Sequence, residues 1–264
     1  MAASIMKTLS IPQRLNKSWR IIATAGCFSL FGLGALVLTF IVFPVITLLT
    51  PQQQREIKVQ TTIQRTFNFF CRTMRFLGVI DYRFENLAAL QADKQCLIVA
   101  NHPSLIDYVL LASQLPQCDC LVKATIWHNP FIKGIVKAAG YIPNKDPELL
   151  LETCNQRLQQ GNVLLVFPEG TRTTPLTTPK LQRGAAQIAV RSQVNIRVVH
   201  ITVTPSFLTK QQKWYQVPNH KPLFLIEIKD EINTASFLNQ NRSSTAAARQ
   251  LNQYLTRAIF PTHV

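Results

Sequence analysis

From Ile21 to Leu49 the chain reads IIATAGCFSLFGLGALVLTFIVFPVITLL, apolar on every face of a helix and without one charged residue. A helix crossing a bilayer needs about 20 mostly apolar residues. The stretch is too long for a signal-peptide core and lacks a small-residue cleavage site. A soluble core helix rarely excludes polar groups from all its faces. The pattern predicts a transmembrane or re-entrant helical anchor over residues 21–49, behind a basic cytoplasmic tail over residues 1–20. Gly26, Gly32, Gly34 and Pro44 offer places to break the helix, so a shallow hairpin is expected over a simple span.

A different periodicity follows. Val59, Ile63, Phe67, Phe70, Met74 and Leu77 recur at steps of three and four, with Arg65, Arg72 and Arg75 between them. This predicts a basic amphipathic helix within residues 50–80. Such a helix suits an anionic bilayer surface or packs on the domain behind it. Beyond Gly78, short apolar runs alternate with helical ones. CLIVA (96–100), CLVKA (120–124), NVLLVF (162–167), IRVVHITVT (196–204) and LFLIEI (223–228) read as strands. Several lack alternation, as in strands buried on both faces. PELLLETCNQRLQQG reads as a helix capped by Asp146, opened by Pro147 and ended by Gly161. KLQRGAAQIAVRS and TAAARQLNQYLTRAI are two more helices. Residues 81–264 are therefore expected to form one α/β catalytic domain, a mixed, mainly parallel sheet flanked by helices. In such sheets ligands bind beyond the carboxyl ends of the strands.

Charge narrows the partners. Lys and Arg total 28 against 13 Asp and Glu, a formal net charge of +15. The excess suits nucleic acid, an anionic bilayer or an acidic ligand. No nucleic-acid module accompanies it, so nucleic acid is not an expected partner. Basic residues flank both ends of the apolar run: Lys7, Arg14, Lys17 and Arg20 before it, Arg55 and Lys58 after it. The rule that puts basic flanks in the cytoplasm draws both to one side, which places the protein at the cytoplasmic face of a membrane, a bacterial inner membrane being the expectation. The six cysteines form no C-x-x-C pair, so neither a zinc site nor any other metal is expected.

Two stretches carry candidate chemistry. NHPSLID, after CLIVA, places His102 and Asp107 where a strand ends and a helix begins, with Pro103 and Ser104 expected to open that helix. A carboxylate there can fix one imidazole tautomer and free the other ring nitrogen to accept a proton. With no G-x-S-x-G elbow around Ser104, this is the base-and-orienter half of a triad, and the nucleophile would be a substrate hydroxyl. A lone His beside an Asp is also a common surface or capping pair. The second stretch, FPEGTR, ends NVLLVF with Glu169, Gly170, Thr171 and Arg172. Gly170 permits a tight turn, and Arg172 offers a planar fork suited to phosphate oxygens.

Together, NHPSLID and FPEGTR closely resemble the first and third motifs of the lysophospholipid acyltransferase family, the 1-acylglycerol-3-phosphate acyltransferases. The resemblance runs from about Leu97 to Thr204. It takes in Lys123, the P-F-x-x-G of Pro130, Phe131 and Gly134, and LQRGAAQIAV. It implies that His102 is the general base and Asp107 its orienting partner, with Glu169, Gly170, Thr171 and Arg172 holding the acceptor's phosphate or headgroup and Lys123 and Lys145 as further substrate-binding residues. The reaction implied moves a fatty acyl group from acyl-CoA or acyl carrier protein, as co-substrate, to a lysophospholipid hydroxyl, with no further cofactor. Membrane phospholipids and the lysolipid acceptor are the implied partners. Two departures stand out. GYIPNKD (140–146) lacks the family's second-motif Arg, with Asn144 and Lys145 nearest to its place, and His200 sits where the fourth motif carries Pro. These leave room for another acceptor, such as a lyso-ornithine lipid, or for a lipid-binding protein without catalysis.

Overall fold

A computed structural model of the protein describes residues 11–128, 133–174, 180–240 and 243–260. The described residues begin with α1 (Ile11–Val37), which passes through a widened π turn at Leu38–Val42 into α2 (Phe43–Leu49). Next come α3 (Gln52–Phe76), β1 (Asp81–Glu85), α4 (Leu87–Ala92), β2 (Leu97–Ala100), α5 (Asp107–Ala112) and β3 (Asp119–Lys123). The middle holds α6 (Ala124–Trp127), α7 (Lys133–Ala138), β4 (Ile142–Asn144), α8 (Pro147–Gln159) and β5 (Leu164–Val166). The last elements are α9 (Gly184–Ser192), β6 (Ile196–Thr204), β7 (Leu223–Ile232), α10 (Thr234–Gln240) and α11 (Ser244–Ile259).

Seven strands form one sheet in the order β1-β7-β6-β2-β5-β3-β4. Every pairing is parallel except β6 with β7. The sheet is thus mixed and mainly parallel, as the alternating pattern predicts. β2 shows why its sequence lacks alternation: Ile98 and Ala100 enter one core cluster with Phe70, Met74 and Leu110, while Leu97 and Val99 enter another with Ile188 and Leu251. A strand covered on both faces has no polar face to display. The flanking helices follow their caps. The Asp146 side chain accepts from the N–H groups of Glu148 and Leu149, and Gly161 leaves α8 at φ +89°.

The sequence leaves β1 and β4 unseen, because DYRFE alternates charge at a sheet edge and IPN is three residues long with a proline inside. Two other expectations change. The apolar run is not broken at its glycines: α1 runs straight through Gly26, Gly32 and Gly34. At Pro44 the missing N–H and the ring's clash with the preceding turn are absorbed by the π turn just before it, and the helix continues. The chain reverses only at Thr50–Pro51, outside the apolar run, so the hairpin is made by the whole first helix against α3. The stripe Val59, Ile63, Phe70 and Met74 is buried, so this face of α3 packs on the domain, the second of the two roles its pattern allows.

Both ends of the first helix touch the domain. Trp19 Nε1 donates to the Leu77 carbonyl (3.0 Å), and Arg20 Nη2 donates to the Asn219 carbonyl (2.7 Å). Farther along, Ala23 and Cys27 enter the domain core, and Leu38 and Phe43 pack with Val59 and Ile63. The opposite face leaves Leu15, Ile22, Leu33, Phe40 and Leu48 exposed. Arg14–Leu49 is long and apolar enough to cross a membrane.

Candidate active site

The parallel pairing of β6, β2, β5, β3 and β4 opens their carboxyl ends along one edge. At that edge lies a cavity of about 1580 Å³, reaching from His102 and Phe167 to Phe31 and Phe67 on the first and third helices. Its lining is mostly apolar, and it exceeds the usual size of small-molecule pockets, about 300–1,000 Å³.

Several local devices position His102. Asn101, just past β2, is buried and locks the strand's exit onto β6: its Nδ2 donates to the Ile201 carbonyl (2.8 Å), and its Oδ1 accepts from the Ile201 N–H (2.6 Å). The His102 ring stacks on Phe167, with centroids 4.3 Å apart. Its Nδ1 lies 2.9 Å from Asp107 Oδ2. A carboxylate only accepts, so Nδ1 carries the proton and Nε2 is left as the acceptor.

Asp107 is the first residue of α5, so the helix starts later than expected. Pro103–Ile106 form a turn, because Asp107 Oδ2 also accepts from the Ser104 N–H (2.6 Å) and closes the turn with its side chain. The carboxylate is fully buried. Burial pushes its pKa up to about 6, against the pull of His102 and the Ser104 N–H, while the charge of Glu169 pushes it further up. Ser104 Oγ is buried without a hydrogen-bond partner and does not line the cleft.

The FPEGTR turn meets the histidine loop directly. Glu169 Oε1 accepts from the His102 N–H (2.9 Å) and from Thr173 Oγ1 (2.7 Å), and the Thr173 N–H donates to the His102 carbonyl (2.7 Å). Burial raises the Glu169 pKa, countered by Thr173 and His102. Glu169 therefore ties the two motifs together and is not among the cleft-lining residues, unlike the headgroup contact the resemblance implies. Gly170 has φ +66°, and a Cβ there would collide with the Gln182 amide. Gly170, Thr171 and Arg172 line the cleft. Arg172 donates from Nη1 to the carbonyls of Leu208 (3.0 Å) and Thr209 (2.9 Å).

The remaining expectations divide. Lys123, at the end of β3, lines the cleft. Lys145 is exposed but does not line it; its neighbour Asn144 does. His200 holds the C-terminal helix, with Nδ1 2.7 Å from the Ile259 carbonyl, and takes no part in the cleft. The departure at that position therefore leaves the cleft untouched. Gly134 is not a cleft-lining residue but lies where a Cβ would meet the Thr39 side chain, and Pro130 and Phe131 lie outside the described residues. Sequence reasoning gave no role to Asn101, Phe167, Gln182 or Thr173. Asn101 and Phe167 stand inside the quoted motifs, so a question about what holds the histidine would have reached them.

Residues 81–205 match the family model described as Acyltransferase. The 1-acyl-sn-glycerol-3-phosphate acyltransferase of Saccharomyces cerevisiae is 27% identical over 198 residues, 72% of this chain and 60% of that protein. The chloroplastic 1-acyl-sn-glycerol-3-phosphate acyltransferase BAT2 of Brassica napus is 31% identical over 45% of this chain and 35% of its own length. Human 1-acyl-sn-glycerol-3-phosphate acyltransferase beta is 24% identical over 56% of this chain and 55% of its own. The matches thus span 60% or less of these curated relatives. The crystal structure of the acyltransferase PlsC from Thermotoga maritima shares the fold, with a TM-score of 0.71 at 16% identity, over 94% of this chain and 99% of that one. Both motifs meet at one cleft on this sheet, and the chain is similar in sequence to 1-acyl-sn-glycerol-3-phosphate acyltransferases and in fold to PlsC.

Proposed function

We propose that this protein transfers a fatty acyl group from an acyl thioester, carried on coenzyme A or acyl carrier protein, to the hydroxyl of a lysophospholipid. The observation that carries the reading is the His102–Asp107 pair at 2.9 Å beside a large apolar cavity. Asp107 holds the Nδ1–H tautomer and stabilises the imidazolium. Nε2 takes the acceptor's hydroxyl proton as its oxygen attacks the thioester carbonyl. The tetrahedral intermediate collapses, the carbon–sulfur bond breaks, and the proton passes from the imidazolium to the departing thiolate. The products are the acylated lipid and the free thiol. The cavity's volume and apolar lining suit fatty chains, and Arg172 and Lys123 suit an acidic headgroup. The names of the relatives motivate lysophosphatidic acid as the acceptor to try first.

The same reading puts the protein on the cytoplasmic face of a membrane, where acyl thioesters are made and the acceptor is dissolved in the bilayer. The exposed apolar face of the first helix supports it. The test uses the full chain in detergent with lysophosphatidic acid and acyl-CoA, following thiol release. His102→Ala is expected to lower the rate by about 10²–10⁴-fold while the thermal transition stays in place. Near-normal turnover by the folded variant would end the general-base mechanism.

A further inference from the structure

The loop after β6 is held in an unusual shape. Leu208 has φ +55°, a left-handed backbone that a branched residue adopts at a cost and that persists only where its surroundings enforce it. Those surroundings are visible. Phe207 and Leu208 are buried. The Leu208 carbonyl accepts from two donors, the Leu105 N–H of the histidine loop (3.0 Å) and Arg172 Nη1 of the FPEGTR turn (3.0 Å). Arg172 Nη1 also holds the next carbonyl, Thr209 (2.9 Å). Three strand-end loops are thereby fastened at one point.

The residue delivered by this arrangement is Lys210, which follows Thr209 and lines the cleft. It is exposed, and among the described residues it has no ion-pair or hydrogen-bond partner. Among the described residues the formally charged side chains lining the cleft are Lys123, Arg172 and Lys210, and no aspartate or glutamate lines it. Nothing on the cleft wall neutralises the Lys210 ammonium, so an anionic ligand would.

We propose that Lys210 binds the phosphate of the lysolipid acceptor directly, and that Arg172 and the left-handed Leu208 position it. This rests on the acyl-transfer reading above. The acceptor is preferred to the donor for a chemical reason. In a lysophosphatidic acid the attacking hydroxyl and the phosphate sit on adjacent carbons, whereas coenzyme A's phosphates are separated from its thioester by the pantetheine arm. The loops pinned to Leu208 are the ones that carry His102 and Arg172, so a phosphate near this point leaves the hydroxyl near His102.

The test measures binding apart from turnover. In the His102→Ala protein, lysophosphatidic acid and the monoacylglycerol of the same chain length are titrated calorimetrically in detergent. Adding Lys210→Gln is expected to weaken lysophosphatidic acid roughly tenfold and to leave the monoacylglycerol unchanged. Lys210→Arg should recover most of the loss. No loss, or equal loss for both lipids, overturns the proposal. In the active protein, Lys210→Gln should raise the KM for lysophosphatidic acid more than the KM for acyl-CoA, and the reverse order overturns the acceptor assignment. If Arg172 acts through Lys210, the double variant Arg172→Gln with Lys210→Gln should be little worse than Arg172→Gln alone; additive losses would refute the positioning role. Should no protein transfer acyl groups while Lys210→Gln still weakens the anionic lipid, the catalytic reading fails and this one stands. If turnover proceeds and Lys210→Gln changes nothing, this one fails alone.

Discussion

Asp107 is a carboxylate kept ionised in a place that disfavours charge. One oxygen holds His102 Nδ1 and the Ser104 N–H; the other, Oδ1, is buried with no hydrogen-bond partner. Removal from water therefore dominates, and the pKa rises to about 6. The sign of the pH effect follows. The folded value lies above the ordinary aspartate value of 3.8, so the proton that burial favours is bound below about pH 6 and lost above it. Protonation removes the negative charge that holds the Nδ1–H and stabilises the imidazolium. The rate constant kcat/KM is expected to fall on the acid side with a midpoint near pH 6, measured with an acceptor whose own charge is constant there. Asp107→Asn should lower the rate by about 10²–10⁴-fold and flatten that acid limb. An unchanged limb in Asp107→Asn would assign it to another group. Residue chemistry was the most legible part of the sequence here, because the five-residue step from His102 to Asp107 spans one turn whatever surrounds it. Glu169 was not legible in the same way. Its contact with the His102 N–H joins residues 67 positions apart, and nothing local in FPEGTR points at that partner.

Among the elements, α3 and α8 are joined to β3 by a buried ionic knot. Asp119 is fully buried and accepts from Gln60 Nε2, Asn162 Nδ2 and both Arg157 Nε and Nη2, each at 2.9 Å. Arg157 also pairs with Glu56 at the start of α3. Such a pair adds little over an apolar pair of the same shape, but removing one partner strands the other charge. Arg157→Ala is expected to destabilise the protein by about 3–5 kcal/mol, read as a lower denaturation midpoint in detergent. Replacing Asp119 by Asn as well should recover part of that loss. If Arg157→Ala shifts the midpoint by less than about 1 kcal/mol, the knot is not carrying the α3–α8 contact. This network escaped the sequence reading because its members come from four segments with no shared period. Five strands were legible, β2, β3, β5, β6 and β7; β2, β5 and the first half of β6 are those whose composition is dictated by burial on both faces. β1 was missed because an edge strand can carry Asp81, Arg83 and Glu85 without cost.

For the whole molecule, the unresolved contest was between a helix that leaves the domain to cross the bilayer and one that stays with it. The geometry favours the second. The first helix is held at its start by Trp19 and Arg20, along its length by Cys27 and Leu38, and at its end by the turn into α3. Only 11% of its most apolar window is buried, and Phe69 and Phe76 on α3 are exposed as well, the surface that the proposed membrane location would cover. A helix lying in one leaflet meets both conditions. A perpendicular span would put the basic flank of Lys17 and Arg20 on the far side of the membrane, against the rule that keeps such flanks cytoplasmic. Both ends of the apolar run are then expected on the cytoplasmic side. Single cysteines at Ser18 and Gln53, both exposed positions, report on this in a background whose six buried native cysteines are replaced. An impermeant thiol reagent should label neither site in intact cells and both in inside-out vesicles. Labelling of Ser18→Cys from outside, with Gln53→Cys protected, would mean that the helix crosses the bilayer and that its contacts with Leu77 and Asn219 do not survive there.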